Sequence, residues 1–285
     1  MNQKYAAIFL ALLMVMSVFS YFVVSLMGNS NDSTANITDT QNAPGFEVIS
    51  GTHFGANMNS ISDGLAFSPE GVSTAVYVDY SRTYGTPLQD YNVSDLYYFY
   101  NTLVYKSFFA YNSTSGFRFQ AHLMNPEVIK FNYSVAGTYN GYSLLSRPSL
   151  GLYNIIGTPT LLGGMNSLEK VIDVKSGNAP ASSDFTEILS YADMDAEYQA
   201  VTSTDPLAEQ HYLDFKNMGD GNYSKTELFL NPLDTTLDTI TSFKNNGSER
   251  NMMYNVDIVD DGRIAKVVVT TNASNFYNLS MEQYY

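Results

Sequence analysis

Apolar residues first cluster at positions 5–27, YAAIFLALLMVMSVFSYFVVSLM, a run without a charge or a proline. At 1.5 Å per residue, a helix of this length matches a hydrocarbon core of about 30 Å. A secretory signal has a shorter apolar stretch and a small-x-small cleavage site. Ser25-Leu26-Met27-Gly28 lacks the alanine pair of such a site, although Ser25 and Gly28 are small. The pattern predicts an N-terminal transmembrane helix that stays attached. Lys4 precedes the run and the next basic residue is Arg82. The positive-inside rule then places residues 1–4 in the cytoplasm and everything after the anchor outside. Residues 28–45 are polar apart from Ile37 and read as a flexible linker.

Beyond the linker the pattern shortens and alternates. Residues 252–270 predict a hairpin turning at Asp261-Gly262, with Ala265, Val267 and Val269 facing inward. Leu233, Leu237, Ile240 and Phe243 make a helical stripe over 232–243, with Asn231 as its cap. Residues 211–216 and 226–230 predict a second hairpin, and 198–202 a strand. Helices are predicted to start near Ser167 and Asp184, each with capping-box spacing. In the first half, 72–80 reads as a strand and 95–109 as a helix. Residues 117–123 and 128–135 read as strands around Asn125-Pro126.

These elements predict an α+β fold. An antiparallel sheet carries helices on one face, in two ectodomain halves, 46–150 and 151–285. Gly85-Thr86-Pro87 and Gly157-Thr158-Pro159 each precede a predicted helix, a near-repeat that would relate the halves. The same tripeptide is also ordinary turn chemistry.

Composition narrows the function. Net charge is −14, with 14 Lys and Arg against 28 Asp and Glu. Nucleic-acid binding needs clustered cations, so it is not expected. Cys is 0, which removes disulfides and thiolate chemistry, and His is 3. Asn-x-Ser/Thr sequons occur at Asn31, Asn36, Asn92, Asn112, Asn132, Asn222, Asn246, Asn272 and Asn278. As glycosylation candidates they agree with an outside location.

Motifs for chemistry are sparse. Ser167-Leu168-Glu169-Lys170 has the Ser-x-x-Lys spacing, without the Ser-Asp-Asn and Lys-Thr-Gly partners of penicillin-binding enzymes. His53, His122 and His211 are too far apart in sequence for a local metal site and read as ordinary surface or half-buried residues. Asp214, Asn217 and Asp220, in a glycine-rich loop with Asn222, are weak calcium candidates without the EF-hand pattern. Asp193 to Glu197, and Asp257 with Asp260 and Asp261, read as solvated acids. Tyr97, Tyr98, Phe99, Tyr100, Tyr105, Phe108 and Phe109 crowd the predicted helix and read mainly as core with a sticky outer face. No cofactor and no catalytic residue is indicated.

A short basic start, a long anchor, a sequon-bearing linker and an acidic, cysteine-free, Tyr- and Asn-rich ectodomain resemble uncharacterised membrane-anchored surface proteins of methanogenic archaea. That resemblance is one of overall style and assigns no residue. It implies a structural or binding role at the cell surface, with the membrane as one partner through residues 5–27 and an envelope protein or glycan as another. Two alternatives remain open. One is an accessory or sensor subunit, for which Ser17, Ser20 and Ser25 offer a small-residue anchor face. The other is an extracellular hydrolase with converging carboxylates.

Overall fold

The computed structural model describes residues 43–91, 95–148 and 150–284. Fourteen strands follow in chain order: β1 Phe54–Gly55, β2 Thr74–Asp79, β3 Leu103–Tyr111, β4 Arg118–Asn125, β5 Ser134–Tyr139, β6 Tyr142–Arg147, β7 Leu152–Ile155, β8 Gly157–Thr158, β9 Thr160–Gly163, β10 Tyr198–Thr202, β11 Ala208–Asn217, β12 Asn222–Pro232, β13 Met253–Val259 and β14 Ile264–Asn272. Twelve of them form one antiparallel sheet in the order β13-β14-β12-β11-β10-β2-β3-β4-β9-β7-β6-β5. β1 and β8 form a separate two-stranded parallel pair.

The sheet joins at its centre. β2 pairs with β10, Val76 opposite Ala200. On one side lie the strands of residues 74–163, and on the other those of residues 198–272. Each side is a three-strand meander whose chain then jumps to the outer edge and winds back inward.

Side chains alternate between two apolar layers, because successive strand residues point to opposite faces. Val76, Val78, Phe215, Phe229, Val267 and Val269 lie in one layer. Ala75, Tyr77, Phe108, Phe119, Tyr212 and Leu228 lie in the other. Helix Asp234–Asn245 (through Ile240) and helix Phe276–Ser280 (through Phe276 and Leu279) cover the first layer. Helix Met165–Lys175 covers the second with Leu168, Val171 and Ile172, at helical spacing. Helices Ile61–Leu65 and Thr186–Leu189 join it there.

This architecture corrects the predicted fold class. The protein is mostly β, its helices are short, and they cover both faces rather than one. Among the described residues no helix is long and apolar enough to cross a membrane. The predicted anchor 5–27 and the linker up to residue 42 lie outside the described residues. Residues 150 and 151, expected as a boundary, sit in the turn between β6 and β7.

Several elements differ from their sequence reading. The predicted helix 95–109 is a helix only over Asp95–Tyr100. Asn101 takes φ 52, a left-handed conformation that ends it, and the following residues become β3. The stretch 103–111 is rich in aromatic residues, which suit a doubly covered strand. Residues 128–133 are irregular, and β5 begins only at Ser134, on the far edge from β4. The cap of helix Asp234–Asn245 is Leu233, not Asn231, which has φ 49. The 252–270 hairpin forms, turning through Asp260, Asp261 and Gly262, all with positive φ.

Gly157 is required by contact. A Cβ there would collide with the backbone of Phe54, its partner across the parallel pair. Gly157→Ala is therefore expected to cost about 1–3 kcal/mol, as overpacking does. Denaturant unfolding checks this against Gly137→Ala, where a Cβ meets nothing within 4 Å.

Candidate functional site

Three constellations gather the chemistry of the described residues. The first is a buried polar cluster at the β5 end of the sheet. Arg147, the last residue of β6, is only 9% exposed. Its guanidinium carbon lies 4.3 Å from the ring centres of both Phe99 and Phe131. Nη2 donates to the Phe99 carbonyl at 3.0 Å, and Nη1 reaches Asn154 Oδ1 at 3.4 Å. Asn154 Nδ2 donates to Tyr100 Oη (3.3 Å) and to the Leu161 carbonyl. Tyr100 Oη in turn meets His122 Nδ1 at 2.8 Å. Burial drives the His122 pKa down to about 3, so the ring is neutral. Burial also lowers that of Arg147 to about 10, which leaves it cationic at neutral pH.

The local sequence explains the arrangement. Gln120 and His122 alternate on β4 with Phe119, Ala121 and Leu123, so both polar residues share one face. Gln120 Nε2 and Oε1 and His122 Nε2 are buried without hydrogen-bond partners.

The second constellation lies on the same face of the other half. His211 Nδ1 is 2.7 Å from Asp205 Oδ2, and its Nε2 is 3.3 Å from Glu227 Oε1. Lys225 Nζ sits 2.9 Å from Glu227 Oε2, and it also donates to the Glu282 carbonyl. Arg250 pairs with Glu282 at 2.7 Å. The His211 ring stacks on Phe229 at 4.5 Å and 13°. Burial opposes charge on His211, but the hydrogen bonds and charges of Asp205 and Glu227 outweigh it and raise its pKa to about 9. Despite their own burial, Asp205 and Glu227 are held below the ordinary carboxylate range by His211 and, for Glu227, by Lys225. Every member has an opposite charge beside it, so the cluster reads as a structural clamp.

The third is an open cleft of about 250 Å³ between the β3–β4 turn and helix Met165–Lys175. Glu70, Asn112, Phe117, Lys170 and Asp173 line it. Lys170 Nζ lies 5.8 Å from the Phe117 ring centre. Ser167 Oγ accepts from the Arg118 backbone at 3.5 Å, so the Ser-x-x-Lys residues have separate structural partners.

The other predicted residues divide. His53 bonds the Ile49 carbonyl, and His211 is half-buried as read, whereas His122 is fully buried, contrary to that reading. The three histidines belong to separate settings. Asp214 is fully buried under Tyr212 Oη (3.1 Å) and the Thr226 amide (3.3 Å), and burial pushes its pKa up to about 7. Asn217 accepts from the Gly219 amide, and exposed Asp220 from the Asn222 amide. The structure therefore does not gather Asp214, Asn217 and Asp220 around an ion. Among the described residues no group of three His, Cys, Asp or Glu could hold a metal.

Asp193 and Asp195 pair with Lys216, and Arg82 bridges Asp195 to Glu197. Asn132, Asn246, Asn272 and Asn278 are exposed, and Asn222 is half-buried at the start of β12. Asn112 is also half-buried, and its Nδ2 donates to the Gly71 carbonyl. Asn31, Asn36 and Asn92 lie outside the described residues. The Arg147 cluster was missed in the sequence. Its only signal was a histidine and a glutamine on one face of an otherwise apolar strand.

Residues 57–176 match the model of AF_2048_N, described as a family N-terminal domain and of archaeal type. The match runs from helix Ile61–Leu65 to helix Met165–Lys175 and contains the Arg147 cluster. No curated protein matches. A solved structure titled crystal form IV of TP0453 aligns with a TM-score of 0.46 at 8% identity, over 76% of this chain and 96% of that one. The N-terminal half of the sheet is thus similar to the N-terminal domain of an archaeal-type family.

Proposed function

We propose that this is an extracytoplasmic protein, tethered at the cell surface through residues 5–27, whose folded part binds an envelope protein. The observation that carries this reading is the open edge at β5. Ser134 to Gly137 and Thr138 are exposed although they alternate between the two faces, and the strand contains no charge and no proline. Edge strands are usually blunted by lysine, proline, bulges or a cover. Here a single register shift between Val135 and Gly137 is present. Such an edge offers its free backbone groups to a partner strand, the addition mode of peptide recognition. The exposed sequon at Asn132 and the strongly acidic composition support an outside setting.

A photo-crosslinking residue at Ala136, introduced into the full chain on intact cells, tests both parts. The expected result is a larger adduct that added protease removes from the cell surface. The same probe at exposed Met218, on the opposite half, should give none. Equal labelling at both positions, or an adduct protected inside intact cells, overturns the reading.

A further inference from the structure

Helix Met165–Lys175 presents Lys170 and Asp173 to the open cleft of about 250 Å³. Residues three apart on a helix are neighbours, so an ammonium and a carboxylate at this spacing are placed to pair. These two do not. Asp173 is taken by neutral donors instead. Tyr139 Oη reaches its two oxygens at 3.0 and 3.1 Å, and Asn140 Nδ2 reaches Oδ1 at 3.4 Å. Lys170 turns away over the Phe117 ring. Among the described residues no carboxylate pairs with its ammonium.

Glu70 lines the same cleft, and its exposed carboxylate has no hydrogen bond or ion pair of its own among the described residues. In a chain with 28 acids and 14 bases, a lysine left unpaired in a cleft with two carboxylates is unusual. Asp173 keeps acceptor capacity as well, since an ionised carboxylate offers about four lone-pair sites. The cleft therefore holds an open cation and open acceptors at once, on walls that Pro69, Pro180 and Phe117 keep partly apolar. A bare anion fits badly, because two carboxylates oppose it. A bare cation fits badly, because Lys170 does. A ligand carrying both charges meets both, and its net neutrality spares it the repulsion of a chain at −14. The volume lies below the range of drug-sized sites, so the two charges belong on a small molecule.

We propose that the cleft between the β3–β4 turn and helix Met165–Lys175 is a binding site for a free α-amino acid. Its carboxylate pairs with Lys170, and its ammonium with Glu70 and the open side of Asp173. Tyr139 and Asn140 hold Asp173 in place before the ligand arrives, which lowers the ordering cost of binding. Tyr139 is the last residue of β5, yet the site does not rest on that edge taking a partner.

The test uses the full-length protein in detergent, with L-alanine as probe. N-acetyl-L-alanine, which lacks the ammonium, and L-alanine amide, which lacks the carboxylate, are the controls. L-alanine at about 20 mM, a hundredfold excess over a Kd of about 0.2 mM, is expected to raise the melting temperature by about 5–10 °C. Neither control should shift it by more than about a tenth of that. Lys170→Met and Glu70→Gln change exposed side chains, so both variants should fold and melt close to the wild type without ligand. Each should weaken L-alanine about tenfold or more, as calorimetry would read directly. A silent wild-type protein overturns the proposal. So does an equal response to either blocked analogue, or an affinity for L-alanine that Lys170→Met or Glu70→Gln leaves unchanged.

Discussion

Glu227→Gln is expected to lower stability by about 3–5 kcal/mol, the scale of breaking a buried ion pair by removing one partner. Glu227 is buried between two cations, His211 and Lys225, on a face closed by Phe229 and Tyr284. Glutamine keeps the shape and loses the charge, so both cations remain in a dry site with their shared partner gone. His211 retains Asp205, but Lys225 retains only the Glu282 carbonyl and the more distant Tyr284 ring. At roughly 2–4 °C per kcal/mol for a chain of this order, the melting temperature should fall by about 6–20 °C. Glu249→Gln, on an exposed turn, should change little. A loss below about 1 kcal/mol at Glu227 would mean that the cluster is worth no more than a surface pair.

Stability is also expected to fall as the solution is made alkaline, chiefly between pH 7 and 9. His211 has its pKa raised from 6.5 to about 9, against the desolvation of burial, by Asp205 and Glu227. A raised basic group contributes fully below its unfolded pKa, and the contribution is lost as pH rises through the folded one. The whole effect is about 3 kcal/mol at 1.36 kcal/mol per pKa unit. Asp214 also loses stability as pH rises, because burial holds it protonated up to about 7, but that contribution ends near neutrality. Asp205 and Glu227 have the opposite sign, with lowered pKa values whose benefit is lost in acid. The slope above pH 7 therefore belongs to His211. Urea midpoints from pH 6 to 9.5 measure it, and His211→Gln should flatten the curve whatever its level. A flat wild-type profile would show that the imidazole is neutral in the fold.

How far the sequence could be read depended on whether a segment was covered on one face or on two. β13 and β14 have one side near solvent, so alternation and the Asp261-Gly262 turn located them. Residues 198–202 also read as a strand, bounded by a turn. β3, by contrast, is covered on both sides along much of its length, and its aromatic run has no period. With Ser94 as a plausible cap before it, that run read as a helix. The helices near Ser167 and over 232–243 had signals, but these do not say which sheet face a helix covers, and short segments such as Ile61–Leu65 carry too few turns for a stripe. The site was less legible still. Gln120, His122, Asn154 and Arg147 come from three strands, and only the sheet order β4-β9-β7-β6 brings them near one another. The acids at 214–220 showed the reverse failure. They are near in sequence, yet Asp214 turns into the interior while Asp220 caps a turn outside.

The central pairing of β2 with β10 has a kinetic consequence. Every other neighbouring pair in the sheet is made within one half of the chain. Loop closure across such a distance must be met before its contacts repay it. A chain delivered N-terminus first would complete its β2–β9 half and then keep β2 as a temporary open edge until Tyr198–Thr202 arrived. β2 holds no lysine and no proline to discourage wrong pairing, and its six residues are all destined for burial. The last strand to reach the middle of the sheet thus ends its most aggregation-prone interval, and slow delivery of residues 164–197 would lengthen it.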